Sequence, residues 1–154
     1  MQNIQIRINE AETVIDDNLR QRFDIVNNLI NILNNNFEID NKFFKDFNKT
    51  RNNKISNFDL DRKITEAINI FKQIKFDNKG INEDKEIKMI LQELRLIEEH
   101  LEAAKVFYND YTSKMNKIIK LFPSNLVARF HHINVRPYFD GKDLNDDDIN
   151  DFKL

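Results

Sequence analysis

Three histidines and 26 carboxylates are the raw material for acid–base or metal chemistry in this chain, which has no cysteine. Their spacing matches none of the common ligand patterns. A di-iron helical bundle needs Glu-x-x-His, so that both ligands project into the core one turn apart. Ile97 stands at that place before His100, and neither His131 nor His132 has an acidic residue there. No His-Glu-x-x-His occurs. Gly80 at the sixth place of a calcium loop would put Lys75 first, and a lysine cannot coordinate a cation. Asp143, Asn145 and Asp147 alternate correctly, but Asp148 replaces the glycine and Leu154 the closing glutamate, so a solvated acidic run is the plainer reading. Without cysteine, thiolate metal sites and a disulfide framework are excluded. The residues therefore call for no cofactor and no metal.

The informative polar residues are those that fall on or beside apolar helical stripes. Arg22 fills a seam position in the first helix, Glu98 flanks the stripe of the last, and Asn109 and Asn116 lie seven apart. A charge or amide in a seam is costly unless paired, and its best-attested use is to fix register. Two readings follow, a partner-binding or catalytic pocket and a polar layer that specifies helix pairing; the second is the economical one. His131 and His132, beside Arg129 and Arg136, form with Phe122 and Pro123 a candidate partner surface. Such a group suits a phosphate or an anionic headgroup, although an inconsequential surface pair is the simpler account.

The elements that must position these residues are helices. The chain has 154 residues, 40% hydrophobic and 32% charged, with two Gly and two Pro. That scarcity of turn formers excludes sandwiches, barrels and Gly-rich nucleotide folds. A net charge of −2 provides no general attraction to nucleic acid. No apolar run is long enough to span a bilayer, and no leader peptide is read at Met1.

Ile4, Ile8, Ala11, Ile15, Leu19, Val26, Leu29 and Leu33 recur at helical steps with Arg22 in the missing place, predicting a helix of about thirty residues stopped by Asn34-Asn35-Asn36. A second helix buries Phe37, Phe43, Phe44 and Phe47, breaks over the polar stretch from Asn48 to Asn57, and is recapped by Ser56 or Asn57. The stripe resumes at Leu60, Ile64, Ala67/Ile68, Phe71 and Ile74. It ends at a turn in which Gly80 is expected to supply a positive φ. Asn82 is the expected cap of a last helix that runs from Ile87 through Tyr108 and Met115 to Phe122 and Pro123. The thirteen Phe read as ordinary core at helical spacing. The fold class is all-α: a long antiparallel bundle of three rods, the middle one broken near residues 50–57, giving about four helices. Residues 1–136 form the bundle. Residues 137–154 form an acidic tail, of which Asp140 to Leu154 is expected to be mobile because it offers only Leu144, Ile149, Phe152 and Leu154 for burial.

Leu19-Arg20-Gln21-Arg22-Phe23-Asp24-Ile25-Val26-Asn27-Asn28-Leu29-Ile30 resembles the first-helix signature of the bacterial LemA family, L-x-R-R-x-D-L-I-P-N-L-V. A second series is similar to the family's T-E-x-x-I, A-R, Y-N, N and F-P-S-N-L-x-A. It runs through Ile97-Glu98, Ala104-Lys105, Tyr108-Asn109, Asn116 and Phe122-Pro123-Ser124-Asn125-Leu126-Val127-Ala128. Tyr138-Phe139 resembles an aromatic pair near the family's end, so the likeness covers about residues 5 to 140. Asn27 stands for the family's Pro, Ile39-Asp40 for its His-Glu, Asn78-Lys79 for its Tyr-Pro and Lys105 for its Arg, whereas Arg51 keeps the family's Arg.

The resemblance implies a helical bundle carried behind an N-terminal transmembrane helix, in a family with no established biochemical activity. This sequence starts where that helix would end. The expectation is therefore the soluble domain of a single-pass protein of the bacterial membrane, with an unidentified envelope partner and no nucleic acid. The signature positions Arg22, Asp24, Asn28, Arg51, Glu98, Tyr108, Asn109 and Asn116 are expected to form a structural polar layer. Counting rise along three rods sets Asp24, Arg51 and Asn109 at nearly one level, with Tyr108 beside them. Two functions remain open: a non-enzymatic membrane-tethered adaptor or scaffold, or a ligand-binding or enzymatic accessory using the layer around Asp24, Arg51 and Asn109.

Overall fold

The computed structural model describes residues 1–52, 54–121, 129, 131–132 and 134–139, with Arg51 and Asn52 described through their backbone. Among them the fold is an all-α helical bundle without a strand. Helix α1 spans Gln2–Phe37, α2 Lys42–Phe47, α3 Asn57–Asp77, α4 Lys79–Glu83 and α5 Lys85–Lys120. A 3-10 turn, Asn48–Asn52, follows α2. The expected break of the middle rod is this turn together with the non-helical residues 54–56.

Helix α1 is longer than its pattern predicts. It passes through Asn34, Asn35 and Asn36 because each costs at most about 0.7 kcal/mol as a helix residue, while the fully buried Leu33 anchors the last turns. What ends it is Glu38, whose φ of 52° is left-handed, with the Ile39 N–H donating to the Leu33 carbonyl at 3.4 Å.

Caps set the remaining boundaries. Asn41 accepts from the Phe43 and Phe44 N–H groups at 2.9 and 3.4 Å and starts α2. Ser56 accepts from the Asp59 N–H at 3.2 Å and starts α3. Two turn assignments are corrected. Gly80 has no left-handed φ and lies inside α4; Asn78 makes the turn instead, donating its N–H to Ile74 and accepting from the Gly80 N–H at 3.1 Å. Asn82 also lies inside α4, and Asp84 caps α5 by accepting from the Ile87 N–H at 2.9 Å.

The chain divides into two compact units. A central unit, Asp16–Leu101, has Leu19, Val26, Leu29, Leu33, Phe44, Phe47, Ile64, Phe71, Ile81, Ile87 and Leu94 in its core. Phe23 stacks on Phe47 there, ring centroids 4.6 Å apart. A terminal unit, Met1–Ile15 with Glu102–Leu154, buries Ile8, Ala11, Ile15, Tyr108, Met115, Ile119 and Phe139. Full burial of each large apolar side chain stabilises by about 1.5–3 kcal/mol. Phe139, assigned from the sequence to the tail, is thus a core residue; residues 140–154 lie outside the described residues. No helix among the described residues is long and apolar enough to cross a membrane.

Candidate functional site

In the central unit the seam position of α1 carries a buried ion triad. Arg22 is 7% exposed. Its two terminal nitrogens donate to Asp61 of α3 and Glu98 of α5, both at 3.0 Å. Asp61 is buried with it, while Glu98 keeps contact with solvent. The Arg22 Nε is buried without a partner. The fork therefore ties three helices together through two charge-assisted bonds, with one donor unmatched. Sequence reasoning placed Arg22 and Glu98 on their seams and missed Asp61. The signal was present: Asp61 lies three and seven residues before Ile64 and Ile68, on the apolar face of α3.

In the terminal unit, polar residues of α5 hold an irregular segment. The Asn116 amide accepts from the Arg136 N–H at 3.0 Å and donates to the Arg136 carbonyl at 3.1 Å. One helical repeat earlier, Asn109 accepts from the Phe139 N–H at 2.7 Å and donates to its carbonyl at 3.4 Å. The Tyr108 hydroxyl donates to the Pro137 carbonyl at 3.2 Å. Burial, followed by the nearby Glu12 carboxylate, raises the Tyr108 pKa above its ordinary value, which preserves it as a donor. The Tyr108 and Phe139 rings meet edge to face at 6.0 Å, and the Lys105 ammonium sits 5.5 Å from the Phe139 ring centroid. Arg136 adds a 2.9 Å ion pair to Glu12 and a 3.4 Å hydrogen bond to Asn9.

Of the expected layer of Asp24, Arg51, Tyr108 and Asn109, the last two belong to the clamp of the terminal unit. Tyr108 and Asn109 are spent on Pro137 and Phe139. Asp24 is exposed, because it lies two residues from the buried seam position that Arg22 fills, and Asn28 is exposed as well. Arg51 lies in the 3-10 turn, and its side chain is outside the described residues. Of the candidate partner surface, Arg129, His131 and His132 are exposed, Phe122 and Pro123 are outside the described residues, and Arg136 is held inward by Glu12.

Asp24 also borders a cavity of about 480 Å³ in the central unit. Phe23, Thr50, Ile55 and Leu60 line it, and Asp16, Arg20, Asp24 and Lys54 supply its charged residues. Among the described residues no group of three His, Asp or Glu is placed to hold a metal ion.

Arg22 and Glu98 of the triad and Tyr108, Asn109 and Asn116 of the clamp fall in the two signature series, and the LemA family model matches residues 11–150. The chain belongs to the LemA family. The matched region runs about ten residues beyond the span read from the signatures, into the acidic segment. None of the curated proteins compared matches the chain. Within the LemA pattern, the Tyr108-Asn109, Asn116 and Tyr138-Phe139 positions now have a common task. The first three are helix donors and acceptors, and the last pair lies in the segment they hold. Lys105, at the family's Arg position, still places a cation over Phe139.

Proposed function

We propose that the protein is a non-enzymatic, membrane-tethered helical adaptor of the bacterial envelope. One observation carries this reading: the signature residues Arg22, Glu98, Tyr108, Asn109 and Asn116 are engaged by the chain itself. Arg22 serves two carboxylates on neighbouring helices, and both asparagine amides serve the backbone of residues 136 and 139. Catalysis asks for titratable groups that converge on a cavity and stay available to substrate. The competing accessory reading, built on Asp24, Arg51 and Asn109, asks the same of residues of which Asn109 is already committed. LemA membership supports the membrane tether and adds no chemistry. The long helices instead present apolar side chains outward, with Met89 64% exposed on the central unit's part of α5 and Phe107 41% exposed on the terminal unit's part.

The test is photocrosslinking in the full-length protein's own membrane, with the reactive group placed in turn at Met89, Leu96, Val106 and Phe107. At least one position is expected to capture the same protein partner reproducibly. Recovery of no reproducible partner from any of the four overturns the adaptor reading.

A further inference from the structure

Within the central unit, α3 and α5 leave a groove between them, lined by these two helices alone among the described residues. From α3 come Ile68, Phe71, Lys72 and Lys75. From α5 come Leu91, Leu94, Arg95 and Glu98. Both sets follow the spacing i, i+3, i+4 and i+7, the register in which a helix offers one stripe to a packing neighbour. A stripe of that length runs for about 10 Å, two turns of helix. The groove has a volume of about 170 Å³. Small-molecule pockets begin at roughly 300 Å³, so this one suits side chains presented by another element.

Charge and burial decide what kind of element. Ile68, Phe71 and Leu94 are buried and make an apolar floor, with Leu91 half-buried beside them. Lys72 and Lys75 supply cations from the α3 bank and Arg95 supplies one from the α5 bank. Neither lysine makes an ion pair among the described residues. Arg95 pairs with Glu99 at 3.7 Å, but both side chains are exposed and such a pair holds weakly. The carboxylate in the lining, Glu98, already accepts from Arg22 at 3.0 Å. The groove is thus an apolar slot between two banks of uncommitted positive charge. A flat anionic lipid surface would meet the cations and leave the floor untouched, because the floor is reached only between the banks. A helix with an apolar ridge and acidic flanks meets both.

We infer that the α3/α5 groove docks an acidic amphipathic helix of a partner protein. The inference rests on the adaptor reading and names the chemistry by which a partner is recognised. Aliphatic side chains at i, i+3, i+4 and i+7 of the partner pack on Ile68, Phe71, Leu91 and Leu94. Carboxylates on its two flanks meet Lys72 and Lys75 on one side and Arg95 on the other.

The full chain is titrated, by fluorescence anisotropy, with a labelled peptide of two Glu-Leu-Glu-Glu-Ile-Leu-Ala repeats, whose Leu and Ile share one helix face with Glu on both flanks. Two further peptides serve as comparisons, one with the same residues reordered so that no apolar face forms, the other with every Glu replaced by Lys. Saturable binding of the acidic peptide is expected, at least about tenfold tighter than either comparison. Lys72→Glu, at an exposed position, should weaken it about threefold. Lys72→Glu with Lys75→Glu should weaken it about tenfold or more, and the Lys peptide should gain affinity for that variant. The urea midpoint of Lys72→Glu should stay near that of the parent, since no ion pair is lost. Equal binding of the acidic and reordered peptides, undiminished binding to the charge-reversed variants, or no saturable binding overturns the inference. So does displacement by phosphatidylglycerol vesicles, which would assign the cations to a lipid surface. Tighter binding of a peptide of residues 140–154 overturns it as well, and would assign the groove to the acidic segment of another copy. If the acidic peptide fails to bind while photocrosslinking still captures a reproducible partner, the adaptor reading stands and the groove fails.

Discussion

The two units solve the same problem, holding separate chain segments in one register, by opposite means. The central unit uses charge: one guanidinium, two carboxylates and an Nε left over. The terminal unit uses neutral amides, each engaging the N–H and carbonyl of a single residue. The difference follows from what is being held. Helices have no spare backbone groups in their interiors, so side chain must meet side chain, and across a seam a long arginine fork reaches two partners. An irregular segment exposes its backbone, which an asparagine matches at both donor and acceptor. The charged solution carries a desolvation cost that only complete pairing offsets, whereas the amide solution carries little.

The comparison breaks most visibly at Arg22. Arg22→Ala removes the buried cation that Asp61 and Glu98 share and should destabilise the central unit by about 3–5 kcal/mol. The double variant Arg22→Met with Asp61→Leu removes the pair rather than half of it, and should return to within about 1 kcal/mol of the parent or exceed it. Urea unfolding followed by far-UV circular dichroism reads both. Equal losses in the single and double variants would mean that the triad stabilises by its contacts alone, without the penalty ascribed to an unpaired charge.

At the amide clamp the expected loss is smaller and local. Asn109→Ala strips the Phe139 N–H and carbonyl of their partner and should cost about 2 kcal/mol, from the desolvation of two backbone groups. It should also speed hydrogen exchange at residues 136–139 and leave the amides around Ile64 and Phe71 unchanged. Asn109→Asp retains an acceptor for the Phe139 N–H and loses the donor, so it should fall between the parent and the alanine variant. An exchange increase spread equally through the central unit would contradict a clamp confined to the terminal unit.

How much of this was readable in the sequence divides along the same line. The Arg22 seam was legible because a helix writes its buried face at steps of three and four, and one long polar residue in that register stands out. Asp61 was masked by the neighbouring Leu60, which competes for the same turn. The recipients of the clamp left no comparable trace. An asparagine that bonds backbone needs no complementary side chain, and Arg136 and Phe139 lie 20 and 30 residues beyond their partners in a segment without periodicity. Caps failed for a related reason. Asn82 and Asp84 are both competent, and which of them starts α5 depends on the buried Ile81 holding α4 in place. A third expectation tests the capping argument. Glu38 takes a left-handed φ that costs a non-glycine residue about 1 kcal/mol, so Glu38→Gly should gain somewhat less than that in urea unfolding, after the glycine's own entropy cost.

The last effect expected separates the units by pH. All three tyrosines, Tyr108, Tyr111 and Tyr138, belong to the terminal unit, so phenol ionisation reports on that unit alone. Burial, then the Glu12 carboxylate, raises the Tyr108 pKa above 10.0 in the folded chain. Between that ordinary value and the raised one, the unfolded chain has released the proton and the folded chain retains it. Unfolding then releases a proton, and stability must fall as pH rises through this window; below it the Tyr108 contribution is fully present and independent of pH. Tyr108→Phe should lose about 1 kcal/mol at neutral pH, the worth of one hydrogen bond, and show a shallower decline above pH 10. Urea midpoints of parent and variant at neutral pH and above pH 10 measure the difference, and the Tyr108 phenol, read as the difference between absorbance titrations of the folded parent and Tyr108→Phe, should ionise above 10.0. Parallel alkaline declines in parent and variant would mean that Tyr108 ionises as freely as an exposed phenol, and the hydroxyl that donates to Pro137 would then contribute geometry to the clamp without contributing stability.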